Sequence, residues 1–366
     1  VDVVDPSAYT PPYDHALCAA LARAGVQVRL QTSHFGYGSV PLPDGYERVE
    51  RFYRLGAGAR AGSRARFAGK LAQQVPDMVR YARATAAARV DVVHFQWLTV
   101  QPLDVHLLPR GRPVVLTAHD VLPREPRRGQ LAAQRRLYDR VDAVVVHSAH
   151  GRERLISALG IDPAKVRVIA HGAFEHLTGV AGARPLPPEL AAVEKPVVLC
   201  FGLIRPYKGV DVLLDAWRAA DLDAELWIVG MPRMDIAALR AAAPQSVRWV
   251  PRFVTDEEVG AYFRRADVVV LPYREIDQSG VLFTALAFGR PLLLSAVGGF
   301  PEVAGHGAAS LVAPGDPLAL AQALRRLIED PSARERLAAG ARAAAAGPYS
   351  WDAIAAAHVE LYGALA

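Results

Sequence analysis

The chain has 366 residues, 52% of them apolar and 22% charged, and a formal net charge of +5. That length exceeds one ordinary core and sets two domains as the expectation, and the apolar fraction excludes a disordered chain. No window approaches the ~18 consecutive apolar residues of a membrane span, and no basic stretch leads into an apolar signal segment, so a cytoplasmic protein is expected.

In chain order, strand-like runs are expected at 1–4, 26–31, 90–95, 113–118, 143–147 and 166–170. After a gap they resume at 196–201, 225–229, 247–250, 267–271, 291–295 and 310–312. Each is short, rich in Val, Ile and Leu, and free of polar alternation, as suits strands buried on both faces of a parallel sheet. Helical stretches such as 15–24 and 318–330 lie between them. Strand alternating with helix implies an α/β chain of two Rossmann-like, doubly wound parallel-sheet domains facing across a cleft. The gap "EHLTGVAGARPLPPELAAVEKP" (175–196) holds four prolines, three of them in "PLPP", and marks a linker set at 181–195. The layout is then a first domain over 1–180, a second over 196–346, and a closing segment over 347–366. That segment contains an amphipathic helix with Trp351, Ile354, Ala355, His358 and Leu361 down one side.

Charge is uneven along the chain. Residues 1–180 hold 24 Lys and Arg against 16 Asp and Glu, and the remainder 18 against 21. From Arg48 to Arg89 there are ten basic residues and two acidic ones. This reads first as a solvated arginine-rich face, and second as a face for an anionic membrane surface or an anionic substrate. Nucleic acid is not expected, because no basic stripe is interleaved with aromatics. Cys18 and Cys200 read as buried thiols rather than metal or redox groups. The ratio of 38 Arg to 4 Lys, with abundant alanine, points to a GC-rich bacterial gene.

Ligands of open parallel sheets gather beyond the carboxyl ends of the strands, so the loops there carry the chemistry. In "FGLIRPYKGVDVLLDAW" a strand ends at Gly202, and Arg205 and Lys208 follow before an apolar helix. Two cations beside a helix N-terminus suit a diphosphate, Arg as a bidentate donor and Lys as a point charge. In "DQSGVLFTALAFGRP" a helix opens on Ser-Gly with no charge in its first turn. Backbone N–H groups of Gln278, Ser279, Gly280 and Val281 are then available to an anion, and Asp277 is set to accept from hydroxyls. The plainer reading is a buried helix with a serine cap.

These segments, with "ELWIVG", "VRWVPRFVTDEEVGAYFRRADVVVLPY", "SAVGGFPEV" and "LVAPGDPLALAQAL", resemble the donor domain of the retaining family 4 glycosyltransferases of GT-B fold. "VVHFQW", "VVLTAHD", "DAVVVHSAHGRERL" and "KVRVIAHGA" resemble their acceptor domain, and the closing helix resembles the one that crosses back to the N-terminal domain. The resemblance implies metal-independent transfer of a hexosyl-type sugar from a nucleotide-sugar donor with retention, needing no cofactor. It implies that Arg205, Lys208 and the helix at Ser279–Val281 hold the diphosphate, that Gly202 opens the strand end, and that Phe253 flanks the base. His119 would stand beside the reacting anomeric carbon. The acceptor is unidentified, with lipid-linked or anionic acceptors and peripheral membrane contact at the inner face implied by some relatives.

Two departures stand out. The family usually carries one glutamate before this helix and one within it; gapless alignment on "ALAFGRP" puts Ile276, beside Asp277, at the first and Thr284 at the second. A threonine hydroxyl still bonds a ribose but does not grip a diol as a carboxylate does. The loop "YTPPYD" also stands where the family has paired glycines. Two other readings follow: a nucleotide-sugar epimerase of the same fold, against which the carboxylate-poor region 277–291 argues, and an inactive nucleotide-sugar-binding relative. "DLD" at Asp221–Asp223 matches an Asp-x-Asp metal motif but falls between a helix and the start of a strand, so no metal site is expected. His94 and His147 read as core histidines, and Ser148 as a helix cap.

Overall fold

The computed structural model describes residues 1–36, 40–56, 64–98, 100–123 and 126–366, with side chains from 68 onward in the helix Arg64–Ala87. Val1–Ala170 with Trp351–Ala366 form one compact unit, and His171–Ser350 a second.

The first unit is built on seven strands: β1 (Asp2–Asp5), β2 (Arg29–Ser33), β3 (Glu47–Phe52), β4 (Val93–Phe95), β5 (Val114–Thr117), β6 (Ala143–Val146) and β7 (Val166–Val168). All pairs are parallel, in the order 3-2-1-4-5-6-7. The second unit has β8 (Val197–Phe201), β9 (Glu225–Val229), β10 (Val247–Val250), β11 (Val268–Leu271), β12 (Leu292–Ser295) and β13 (Ala309–Val312). These are also all parallel, in the order 10-9-8-11-12-13. In both sheets the order reverses beside the first strand of the unit. The crevices where such sheets bind ligands therefore lie beyond β1 and β4, and beyond β8 and β11.

One strand escapes the sequence pattern. β3 reads "ERVERF", four of its six residues charged, because it is the sheet edge and needs no apolar run. It carries Arg48 and Arg51, so part of the basic region is edge strand. Arg60 and the side chains of Arg64 and Arg66 lie outside the described residues.

The first unit's leading segment ends at Ala170 rather than 180. Ala173 donates to the Tyr349 carbonyl at 2.9 Å, Phe174 to that of Phe283 at 3.3 Å, and the His171 ring stacks on Phe283 at 4.5 Å. These contacts tie the stretch to the second unit. The proline-rich segment beyond is packed as well: Arg184 donates to the Glu257 carbonyl at 2.8 Å, and Leu190 is buried. The helix Trp351–Leu365 belongs to the first unit, where it lies on the helix Pro11–Arg23. Trp351, Ile354, Leu361 and Tyr362 pack there with Tyr13, Leu17 and Leu21, each large side chain worth about 1.5–3 kcal/mol of burial. His94 on β4 is the satisfied core histidine its sequence context predicts, its ring nitrogens 2.6 Å from the Tyr362 hydroxyl and 2.8 Å from that of Thr117.

Candidate active site

In the second unit, β8 runs into Gly202, a one-turn 3-10 segment Pro206–Lys208, and the helix Val210–Ala220. Gly202 has φ +100°, and a Cβ there would lie 2.9 Å from Lys208 Nζ and 3.0 Å from Val281 Cγ2. The strand end is thus the point where the Lys208 ammonium and the first turn of the helix Gly280–Ala287 converge, and its positive φ favours glycine there. Lys208 is 7% exposed, with Nζ 4.9 Å from the centre of the Tyr273 ring. Burial pushes the Cys200 thiol up to about 11, an effect that the Lys208 charge opposes. Arg205 is exposed, and its carbonyl accepts from the Lys208 N–H at 3.0 Å.

The helix Gly280–Ala287 begins after Ser279, which makes no side-chain cap bond. The expected serine cap is therefore absent; the Ser279 hydroxyl lies 3.5 Å from that of Tyr273 instead. The helical ladder starts at Leu282, which donates to the Ser279 carbonyl at 3.0 Å, so the N–H groups of Gly280 and Val281 precede it. Thr284 is buried and donates its hydroxyl proton to the Gly280 carbonyl at 2.9 Å. Asp277 is half-buried on the preceding loop, where its carbonyl accepts from Gly299 at 3.2 Å. Phe253 is 63% exposed, and its carbonyl accepts from Arg252 at 2.9 Å. Arg252 also forks onto Glu258 at 3.0 and 2.6 Å and holds that carboxyl down at about 2.

Two residues that the sequence analysis passes over join these parts. Arg274, just past β11, donates its N–H to the Tyr207 carbonyl at 2.8 Å and its guanidinium to the Pro206 carbonyl at 2.9 Å. The same guanidinium takes Asp211 in a fork at 2.9 and 2.5 Å, which holds the Asp211 carboxyl below its usual range. Gly209, at φ +66°, presses against the Pro272 carbonyl oxygen so closely that a Cβ would overlap it. The Arg205–Gly209 turn is therefore fastened to the exit of β11. Tyr273, fully buried, stands between Lys208 and Ser279, its ring under the one and its hydroxyl beside the other. A Tyr-Arg pair closing an apolar run was the only available signal.

In the first unit His119 follows β5. Its ring stacks on Trp97 at 4.8 Å and 15°, and meets Tyr13 edge-on at 4.8 Å. A line of hydrogen bonds fixes its tautomer. The Ile169 carbonyl only accepts, so His147 Nδ1, 3.0 Å away, carries the proton. Burial holds His147 neutral, down at about 4, so its Nε2 accepts from His119 Nδ1 at 3.2 Å. His119 Nε2 then faces the Gln96 amide at 3.2 Å. Ahead of this ring, Asp5 accepts from the backbone of Ser7, Tyr9 and Thr10 and so shapes the loop after β1. Burial raises the carboxyls of both Asp5 and its neighbour Asp14, that of Asp14 the further, and the Asp14 proton bonds Asp5.

The second unit thus gathers Gly202, Lys208, Ser279, Gly280 and Val281, with Thr284 one turn on and Arg205, Phe253 and Asp277 on surrounding loops; His119 stands in the first. Asp221 and Asp223 do not join them. They lie between the helix Val210–Ala220 and the start of β9, and Asp223 pairs with Lys195 at 2.6 Å. No metal-binding cluster occurs among the described residues. Ser148 caps the helix Ala149–Leu159, as expected, by accepting from Gly151 at 3.0 Å.

Comparison with known proteins bears on the same two units. A family model described as "Glycosyltransferase Family 4" matches residues 13–173, and one described as "Glycosyl transferases group 1" matches 195–330. A GDP-mannose:glycolipid 4-beta-D-mannosyltransferase of Xanthomonas campestris pv. campestris is 30% identical over 61% of this chain and 68% of its own. The chain belongs to glycosyltransferase family 4. A D-inositol 3-phosphate glycosyltransferase of Xylanimonas cellulosilytica is 27% identical over 94% of this transferase and 89% of itself. Among solved structures, Anabaena HepE in complex with UDP and glucose covers 100% of the chain and 99% of its own at a TM-score of 0.72 and 18% identity, which shows the GT-B fold. No helix of the described residues is long and apolar enough to cross a membrane.

Proposed function

We propose that this glycosyltransferase moves a sugar from a nucleotide-sugar donor to an acceptor hydroxyl, with retention and without a metal ion. The observation that carries the proposal is the convergence of the Lys208 ammonium and the first turn of the Gly280–Ala287 helix on Gly202. Breaking the anomeric C–O bond leaves a cation-like sugar and a departing diphosphate. Fixed positive charge on that diphosphate is the main electrostatic lever. Lys208 and the N–H groups of Gly280 and Val281 supply it from inside, and Arg205 from the rim. The attacking hydroxyl passes its proton to a leaving phosphate oxygen on the same face, so configuration is retained. His119 stands beside the reacting carbon, Phe253 flanks the base, and Asp277 accepts from sugar hydroxyls. Thr284 offers the nucleotide ribose one neutral hydroxyl, already bonded within its helix. An epimerase would need carboxylates around the sugar, and Asp277 is the only one between residues 277 and 291.

The relatives' names supply donors and acceptors to try: a UDP- or GDP-sugar, and an inositol phosphate or a glycolipid. A glycolipid acceptor agrees with the basic region, where Leu55 and Leu71 are 91% and 53% exposed, and with peripheral contact at an anionic membrane. The test is thermal stabilisation by UDP, GDP, ADP and dTDP with EDTA present. One nucleotide is expected to raise the melting temperature of the wild type and not of Lys208→Ala. Absence of a shift with all four would overturn the donor site.

A further inference from the structure

A cavity of about 170 Å³ lies in the first unit at the carboxyl ends of β4 and β5, walled by Gln96, Trp97, Thr117, His119, Asp120 and Gln134. Two of these side chains hold buried amide atoms without a hydrogen-bond partner, the Gln96 nitrogen and the Gln134 oxygen. The cause is local. Gln134 donates its N–H2 to the Val121 carbonyl at 3.1 Å and to the Tyr138 hydroxyl at 2.8 Å, which leaves its oxygen over. Gln96, fully buried, turns one end of its amide to His119 and leaves the other. When His119 is neutral its Nε2 accepts, the Gln96 amide turns its nitrogen there, and the leftover end is the oxygen. In either orientation one end remains. An unsatisfied buried polar atom costs about 1–3 kcal/mol, and two in one wall is a burden that native interiors seldom carry without a ligand or water to relieve it.

We infer that this cavity takes one uncharged, hydroxyl-bearing ring, the acceptor-side ligand of the transferase, bound through the amides of Gln96 and Gln134. A hydroxyl both donates and accepts, so one ring satisfies an amide oxygen and an amide nitrogen alike. A dianionic phosphate group only accepts. It would face the Gln134 oxygen and the Asp120 carboxylate, and no cation is among the described residues of the wall. The apolar part of the wall, Leu98, Leu116 and Leu137, meets the C–H faces that a sugar or cyclitol ring presents. Size sets the limit. The space is about that of five or six water molecules and below the roughly 300 Å³ of a drug-sized pocket, which admits a single ring. Trp97, stacked on His119, adds an aromatic face to the wall.

The inference rests on the transferase reading, and the experiment separates the two. The melting temperature of the full chain is measured with D-glucose, D-mannose, D-galactose and myo-inositol, and with glucose 6-phosphate as the anionic counterpart. The nucleotide panel is run in parallel. At least one uncharged ring is expected to stabilise the protein, and glucose 6-phosphate is not. Gln134→Met is expected to lose the ring-induced shift and keep the nucleotide-induced one. If Gln134→Met does not melt cooperatively, Gln101→Phe, which fills the cavity from the first turn of the helix Gln101–Leu107, takes its place. Stabilisation by none of the four rings, a ring shift unchanged in the variant, or stabilisation by glucose 6-phosphate above its parent sugar overturns the inference. Loss of the nucleotide shift alone overturns the donor site and leaves the cavity standing.

Discussion

Replacing His358 with leucine is expected to stabilise the first unit, and more so at pH 5 than at pH 8. His358 sits on the helix Trp351–Leu365, fully buried, with Nδ1 donating to the Ile354 carbonyl at 2.8 Å. Its Nε2 is buried without a partner. Removing such an atom in a volume-matched swap recovers about 1–3 kcal/mol at any pH. Titration adds the rest. Burial lowers His358 from 6.5 to about 4, with the His147 imidazole pushing the same way. The unfolded chain binds a proton below pH 6.5 and the folded one only below about 4. The stability this histidine permits is therefore complete above pH 6.5 and lost as pH falls toward 4. The total is about 3 kcal/mol, of which about 2 kcal/mol is gone at pH 5. The leucine variant has no such loss, while His147, Asp5 and Asp14 titrate in both proteins and largely cancel. Urea unfolding followed by tryptophan fluorescence, to which Trp351, packed edge-on at 5.1 Å against Tyr13, contributes from the first unit, reads the difference. The variant's advantage should grow by about 2 kcal/mol from pH 8 to pH 5. An advantage equal at the two pH values would refute the reasoning.

Other perturbations act on the proposed donor site. Lys208→Ala is expected to lower transfer by about a hundredfold or more, the range for removing an electrostatic stabiliser; wild-type turnover would remove Lys208 from the site. Gly202→Ala places a Cβ 2.9 Å from the Lys208 ammonium at a positive φ. It should weaken nucleotide binding and cost about 1–3 kcal/mol of stability, read by calorimetry and thermal unfolding. Arg274→Ala removes a half-exposed ion pair worth under about 1 kcal/mol but frees the Lys208 turn. Transfer should therefore fall at least tenfold while the melting temperature barely moves, and parallel losses of both would mark Arg274 as merely structural.

How much of this was legible in the chain follows from which forces act locally. Most of the twelve legible strands announce themselves because a strand buried on both faces is apolar throughout, as in "VVLCF" and "VVVL". The edge strands β7, β10 and β13 are partly exposed and show through their Val and Leu. β3 does not, because an edge strand satisfies its sheet on one side and leaves charged residues to water. Gly202 and Lys208 were legible because a glycine at a strand end followed by a lysine at a helix start is a pattern within eight residues. The Arg274 fork was not: its partner Asp211 lies 63 residues earlier, and each is an ordinary surface charge until the sheet brings β8 and β11 side by side. The same holds for Thr284. Alignment makes it a ribose ligand, yet the hydroxyl is bonded to Gly280 one turn back, as a threonine inside a helix does when nothing else competes. That bond commits the hydroxyl proton and leaves a ribose only the neutral oxygen lone pairs to donate to, so grip on the nucleotide shifts toward its diphosphate. The two parts of the ligand should then differ in what they contribute: inorganic diphosphate should compete with the nucleotide far better than the free nucleoside does. Comparable competition by the nucleoside would return the main grip to the ribose and base.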